Sequence, residues 1–127
     1  LAITTDILFN GRLSEYKYNY SWERCSLRKF LNGPFIKIAF SNDEQEWLDK
    51  SVNSKEDSVF LLSEKLVTIY FPKRTDRVCL NGNSWLTCSL GADKERVVYI
   101  DYYGEIDVRG IFANSKSGIR PVIRLKF

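Results

Sequence analysis

The last ten residues constrain the fold of this chain more than any other stretch. Along residues 118–127 apolar and basic side chains alternate, with Ile119, Ile123, Leu125 and Phe127 on one parity and Arg120, Arg124 and Lys126 on the other. A period of two is typical of a β-strand with one buried face. Gly118 allows a positive φ before the strand, and Pro121, which lacks an N–H, suits a strand start or a sheet edge. We therefore expect this segment to lie in a sheet with Phe127 buried.

The N-terminal segment is also predicted to be a β-strand, and it needs another strand to pair with. Residues 2–9 are apolar and β-branched, and they are followed by Asn10-Gly11, a strong turn signal. We expect residues 2–9 to pair with the C-terminal strand, which brings the two termini together. Further strands are predicted at 59–62, 85–89, 96–102 and 105–109, and the last two form a hairpin around Tyr103-Gly104.

Two helices are predicted between the first strands. Ser21 is a plausible N-cap for a helix over residues 22–31, and Asn32-Gly33-Pro34 ends it. Residues 35–40 are interpreted as an apolar connection. Ser41 and Glu44 form a capping box, which predicts a second helix to about residue 50 with Trp47 and Leu48 on its inner face. Residues 63–71 are expected to form a short helix or turn. Strands and helices that are segregated in this way predict an α+β fold with a small antiparallel sheet.

Composition limits the classes of protein that fit. The 127 residues, 44% apolar, suit one globular domain over 1–127. The net charge of +3 does not indicate nucleic-acid binding, and no apolar run approaches the roughly 18 residues of a membrane helix. Because the chain has no methionine and no signal peptide, we interpret it as a processed product or a domain excised from a longer protein.

The chemistry-bearing residues are few. There is no histidine, and the cysteines are Cys25, Cys79 and Cys88, so a four-ligand zinc site is excluded on ligand count. We interpret the three as buried free thiols, with a Cys79–Cys88 bridge as the alternative. Asp93 and Glu95 fall short of the about 6–8 oxygen ligands that Ca²⁺ takes. We therefore expect no metal and no cofactor.

Four stretches of the chain carry motifs, which are Trp22-x-x-Cys25-x-Leu27-Arg28-x-Phe30-Leu31-Asn32, Ala39-Phe40-Ser41-x-x-Glu44, Asp57-Ser58-Val59-Phe60-Leu61-Leu62-Ser63 and Gly118-Ile119-Arg120-Pro121-Val122. These four stretches resemble a bacterial domain family of unknown function that recurs in surface and secreted proteins of gut bacteria. The last of these is also similar to the Gly-Phe-Arg ending of C-type-lectin-like domains. The resemblance implies a C-type-lectin-like fold with two helices, a small antiparallel sheet and paired termini.

The chain departs from these relatives where chemistry would be expected. Residues 84–89 lack the arginine of the family's Trp-Trp-Leu-Arg-Ser stretch, and the catalytic cysteine pair of formylglycine-generating enzymes is not recognisable. The Glu-Pro-Asn and Trp-Asn-Asp tripeptides of true C-type lectins are absent. The resemblance thus implies a fold and little chemistry. Arg28 and Arg120 are interpreted as structural anchors, with Arg120 buried and bonded to carbonyls or to an acid.

The candidate ligand site is the hairpin tip with Asp101, Tyr102, Tyr103 and Glu105, because aromatic rings beside acids can stack on and hydrogen-bond a sugar. By strand parity at least one of the two tyrosines should be exposed. Loops at 91–95 and 110–117 are expected to share its face.

We expect a non-enzymatic binding or interaction module on a secreted or cell-surface protein, with a glycan or a protein as ligand. The absence of histidine removes the commonest general base. Two alternatives remain open. One is a glycoside hydrolase that uses carboxylates such as Asp101 and Glu105, and the other is a structural spacer domain.

Overall fold

The computed structural model describes residues 2–4, 6–16, 18–49, 57–80 and 82–126. In these ranges the chain is α+β, as predicted. Its strands are β1 Ala2–Ile3, β2 Phe9–Gly11, β3 Val59–Phe60, β4 Trp85–Leu90, β5 Arg96–Ile100, β6 Ile106–Phe112, β7 Ser117–Ile119 and β8 Val122–Ile123. Its helices are α1 Ser26–Leu31, α2 Pro34–Ala39, α3 Asn42–Gln45 and α4 Glu64–Tyr70, with 3-10 helices at Trp22–Arg24 and Arg74–Arg77.

The strands form two sheets in place of the single small sheet that was predicted. One has the order β1-β8-β3 and the other the order β2-β7-β4-β5-β6. Their pairs are antiparallel except for the parallel contact of β4 with β7 at Trp85 and Gly118. The predicted C-terminal strand is therefore two short strands, because the chain passes from the larger sheet to the smaller one at Arg120 and Pro121. Phe127 lies outside the described residues.

The prediction that the two terminal segments pair is confirmed. Ala2 faces Ile123 in the smaller sheet, and Phe9 faces Ile119 in the larger sheet. The prediction of a turn at Asn10-Gly11 is wrong, because Asn10 pairs with Gly118 inside β2. An Asn-Gly pair makes a hairpin only when its own flanking strands pair with each other. Here the partner strand is more than a hundred residues away along the chain.

Gly118 is required for space rather than for a positive φ. The positive-φ glycines in the described ranges are Gly82, Gly104 and Gly110, while Gly118 lies in β7. A Cβ at Gly118 would stand 2.6 Å from the Ser84 carbonyl oxygen and would also meet the Ile7 side chain. This close approach permits the Gly118 N–H to donate to that carbonyl at 3.0 Å.

The prediction of two helices is wrong, since four short α-helices occur in the described ranges. Cys25 is extended (φ −73°, ψ 153°) and divides the predicted first helix into a 3-10 turn and α1. The supposed connection at 35–40 is largely helical, because Pro34 occupies the first turn of α2, where its missing N–H costs nothing. The short helix predicted at 63–71 is confirmed as α4, with the Ser63 hydroxyl accepting from the Leu66 N–H.

The capping box of Ser41 and Glu44 is confirmed, but α3 ends at Gln45, and residue 50 lies outside the described ranges. Leu48 is fully buried as predicted, whereas Trp47 is 52% exposed, so its assignment to an inner face is wrong. Trp85 is confirmed as a core residue, at 1% exposure.

The three cysteines are free, as expected, and Cys25 and Cys79 are buried, whereas Cys88 is partly exposed. Cys79 lies in a core cluster with Trp85, while Cys88 packs against a second cluster that contains Cys25. Their separate positions leave the Cys79–Cys88 bridge without support.

The β5–β6 hairpin, confirmed as predicted, carries a large bulge on its outer strand. Val97 faces Ile111 and Tyr99 faces Asp107, so one residue of β5 lies opposite three of β6. The Asp107 carboxylate accepts from the N–H groups of Arg109 and Gly110, both at 3.1 Å. A bulge of this kind interrupts the regular edge that another strand would need for pairing.

Candidate functional site

The turn of the β5–β6 hairpin is built largely by Asp101 and Gly104. The Asp101 Oδ1 accepts from the backbone N–H groups of Tyr103 and Glu105, each at 2.9 Å. The Gly104 N–H donates to the Asp101 carbonyl, and its φ of +87° suits glycine. Asp101, a predicted ligand residue, therefore serves first to fix the backbone of the tip.

Tyr102 and Tyr103 project from this fixed turn into solvent. Their exposures are 57% and 62%, so the prediction that at least one is exposed is confirmed for both. The ring centroids are 4.5 Å apart with an interplanar angle of 46°. A hydrogen bond with Tyr103 is the main cause that raises the pKa of Tyr102. We call this pair the tyrosine platform.

The 3-10 helix Arg74–Arg77 supports the platform from below. The Arg74 Nη1 donates to the Tyr103 carbonyl at 2.6 Å, and the Arg77 Nη1 donates to the Gly104 carbonyl at 3.3 Å. Arg77 also binds the carbonyls of Phe71 and Pro72, and its own carbonyl accepts from the Trp85 indole at 2.9 Å. Trp85 and Arg77 thus link the platform to the core.

One acidic side chain of the tip, Glu105, lies near Arg74. The Glu105 side chain is 64% exposed, and its Oε1 lies 3.8 Å from the Arg74 Nε. On the strands below, Tyr99 and Asp107 face each other. Burial and, after it, the Asp107 carboxylate raise the pKa of Tyr99. Tyr99, Asp107, Arg74 and Arg77 were not among the predicted site residues.

The sequence offered a weak signal for this support. Arg74 and Arg77 are three residues apart, which places them on one side of a 3-10 turn. Nothing in the sequence indicated that this turn docks on the hairpin.

The prediction that three loops share one face is wrong. Ala92 donates to the Arg109 carbonyl and Ala113 to the Glu95 carbonyl, so the 91–95 and 113–116 loops meet at the end of the hairpin remote from Tyr102 and Tyr103. In an antiparallel meander successive turns lie at opposite ends of the strands. Across the seven residues of β6 this separation is on the order of 20 Å.

Arg28 and Arg120 hold structure, as predicted. The Arg28 Nε and the Trp22 Nε1 donate to the two carboxylate oxygens of Asp57, both at 2.8 Å. Arg120 is 4% exposed and donates from Nη2 to the Thr4 carbonyl at 3.0 Å. We call Arg120 with its stacking residues Phe71 and Trp85, whose ring centroids lie 5.2 and 4.6 Å from its Cζ, the arginine core site.

The exposed groups at the tip are two aromatic rings, a guanidinium and a carboxylate. Within the described ranges no group of three His, Cys, Asp or Glu residues could hold a metal ion. Asp93 uses its Oδ1 to accept from the Glu95 N–H. The platform offers flat ring surface with a guanidinium and a carboxylate at its margin.

The molecule is thus an α+β domain with two sheets and an exposed aromatic turn. The chain belongs to the family described as Domain of unknown function (DUF6273), whose model matches residues 1–127. The comparisons with curated proteins and with solved structures gave no match. In the part of the chain that the structure describes, no helix is long and apolar enough to cross a bilayer.

Proposed function

We propose that this domain is a non-enzymatic binding module of a secreted or cell-surface bacterial protein, and that it binds a glycan on the tyrosine platform. The observation that carries the proposal is the pair of adjacent tyrosines, each more than half exposed, on a turn held by hydrogen bonds from two sides. Aromatic side chains placed in solvent on a rigid support favour an interaction role over a folding role.

The fixed backbone favours binding because little freedom is lost when a ligand arrives. Asp101 braces the turn from within, and Arg74 and Arg77 brace it from outside. Tyrosine adds a large contact area with only two side-chain torsions to restrict. A sugar ring can place its C–H face on the platform while its hydroxyls bond to Glu105 or Arg74.

A protein ligand is the second candidate, and apolar residues beside the tip favour it. Val78 and Leu80 are 42% and 91% exposed, and the Val78 Cγ2 lies 3.1 Å from where a Cβ at Gly104 would stand. Val78 would add apolar contact area beside the platform for a protein ligand. We favour the glycan because two charged side chains that can bond to sugar hydroxyls are placed at the same turn, Glu105 as a residue of it and Arg74 through its bond to the Tyr103 carbonyl.

An array of immobilised glycans and proteins tests the proposal, with the wild-type domain compared with the Tyr102→Ala/Tyr103→Ala variant. We expect a glycan signal that the double variant loses. Tyr16→Ala is the matched control, because Tyr16 is 75% exposed and Ser14 beside it bonds to Ala113 at the remote end of the hairpin. A signal confined to proteins would favour the second candidate. A blank array would support a spacer domain, and sugar release that requires Asp101 and Glu105 would support a hydrolase.

A further inference from the structure

Arg74 presents hydrogen-bond donors at the margin of the tyrosine platform. A guanidinium has five N–H donors, and in the described ranges the one hydrogen bond of the Arg74 side chain is that of Nη1 to the Tyr103 carbonyl. The side chain is 49% exposed. Arg77, in contrast, donates from all three of its nitrogens to carbonyls. Arg74 is thus held beside the platform by one donor while others stay available.

Glu105 does not satisfy those donors. Its Oε1 lies 3.8 Å from the Arg74 Nε, which is beyond the usual N–H···O distance of about 2.7–3.2 Å. An ion pair between exposed side chains is weak because water screens both charges. A carboxylate that approaches in the plane of the guanidinium forms two parallel hydrogen bonds and gains more. A ligand carboxylate can therefore replace Glu105 beside Arg74.

We propose that the platform selects acidic glycans, with the sugar ring stacked on Tyr102 and Tyr103 and its carboxylate paired with Arg74. This inference rests on the proposed function and adds the chemical class of the ligand. The geometric reason is that Arg74 bonds to the carbonyl of Tyr103 itself. The guanidinium lies within hydrogen-bond distance of the Tyr103 backbone, so a carboxylate that extends from the stacked sugar toward that backbone can form an ion pair with it. A neutral sugar offers Arg74 a hydroxyl but no opposite charge.

Removing the charge of Glu105 should change ligand affinity in opposite directions for an acidic and a neutral ligand. If the ligand is acidic, Glu105 repels it and competes for Arg74, so Glu105→Gln tightens binding by about 2- to 5-fold, within the range of a surface pair. If the ligand is neutral and Glu105 accepts from its hydroxyls, the same change weakens binding.

Calorimetric titration with matched probes measures the selectivity. One pair is oligogalacturonate and its methyl ester, and the other is sialyllactose and lactose, so that uronic and sialic acids are distinguished. We expect the acid of one pair to bind at least about 10-fold more tightly than its neutral partner, by a margin that shrinks as salt rises. Arg74→Gln should remove this margin, with a smaller loss of affinity for the neutral probe because the bond to the Tyr103 carbonyl is also lost. Arg74→Lys should restore part of the margin. Lys73→Gln, which removes the same charge from the neighbouring residue, is the control.

The outcomes separate this inference from the proposed function. Equal binding of acid and neutral probes, lost in the platform double variant, overturns the acidic selectivity and leaves glycan binding intact. A margin that Lys73→Gln removes as fully as Arg74→Gln also overturns it, because general attraction then suffices. No binding of any probe by the folded domain contradicts both proposals. Near-ultraviolet circular dichroism verifies that each variant is folded.

Discussion

Arg120 and Arg74 are both bonded to the protein backbone, yet their surroundings give them different roles. Arg120 is 4% exposed between Phe71 and Trp85, whereas the Arg74 side chain is 49% exposed beside the tyrosine platform. Each donates to a backbone carbonyl, that of Thr4 for Arg120 and that of Tyr103 for Arg74. The contacts of Arg120 join the two ends of the chain, while those of Arg74 leave donors in solvent.

The comparison shows that burial decides whether the contacts of an arginine contribute to folding or leave donors for a ligand. In the arginine core site all contacts are made within the protein, so their loss acts on folding. At the tip the contacts hold a surface that is not covered by the described chain, so their loss acts on binding. Trp85 touches both regions, since its ring stacks on Arg120 and its indole donates to the Arg77 carbonyl.

The largest effect is expected in the arginine core site. Arg120→Ala removes the bonds to the Thr4 carbonyl and the stacking on Phe71 and Trp85, so the free energy of unfolding should fall by about 2–3 kcal/mol. Urea denaturation measures this, and Arg74→Ala, expected within about 0.5 kcal/mol, is the matched comparison. Equal losses for the two variants would remove the distinction between the regions.

A substitution at the tip should also lower the stability of the fold when it displaces the 3-10 helix Arg74–Arg77. In Gly104→Ala the new Cβ collides with the Arg74 carbonyl at a φ of +87°, so we expect a loss of about 2 kcal/mol together with weaker ligand binding. Gly82→Ala is the control, because Gly82 has a φ of +70° with nothing within 4 Å of the added Cβ. Thermal unfolding should show the smaller loss for Gly82→Ala, and the reverse order would contradict the docking of the 3-10 helix.

Alkaline pH should weaken the core around Cys88. Burial raises the pKa of Cys88 from 9.0 to about 11, so the folded state holds the thiol proton more tightly than the unfolded state. This contribution is fully present below about pH 9 and is lost as pH rises toward 11, by about 1–2 kcal/mol. Between pH 8 and 11 the free energy of unfolding, measured with urea, should therefore fall less steeply with pH in Cys88→Ala than in the wild type. Parallel slopes would show that Cys88 does not contribute.

The smallest effect on stability is expected at the platform itself. Tyr103→Ala should change the free energy of unfolding by less than about 0.5 kcal/mol, because the ring is 62% exposed. The same change should weaken glycan binding by about 1–3 kcal/mol, or about 5- to 150-fold. Paired denaturation and binding measurements separate the two quantities, and a large stability loss with unchanged affinity would contradict the assignment.

Local signals in the sequence predicted much of what is local in the structure. The capping box at Ser41, the β5–β6 hairpin and the exposed tyrosines each follow from residues close together in the chain. The burial of Arg120 was also predicted, because its position on a motif strand after Gly118 indicated an anchor.

The predictions that were wrong concern contacts between residues far apart in the chain. Asn10-Gly11 carries a turn signal, but its pairing with β7 makes it part of a strand. The 3-10 helix Arg74–Arg77 docks on the hairpin through bonds to backbone carbonyls of the turn. The hydrophobic pattern of the sequence does not predict contacts of this kind. The 91–95 and 113–116 loops lie at the opposite end of the hairpin from Tyr102 and Tyr103, because successive turns of an antiparallel meander alternate between the two ends of the strands. The prediction that all three loops share one face did not apply this rule.

The most direct test of the central claim is to map where a ligand binds. In ¹⁵N-labelled domain titrated with the glycan that binds most tightly, we expect the largest amide shifts at residues 101–105 and 73–78. Residues 91–95 and 113–116, at the opposite end of the hairpin, should shift little. Shifts concentrated at that opposite end, or at Trp22 and Asp57, would show that the tyrosine platform is not the binding site.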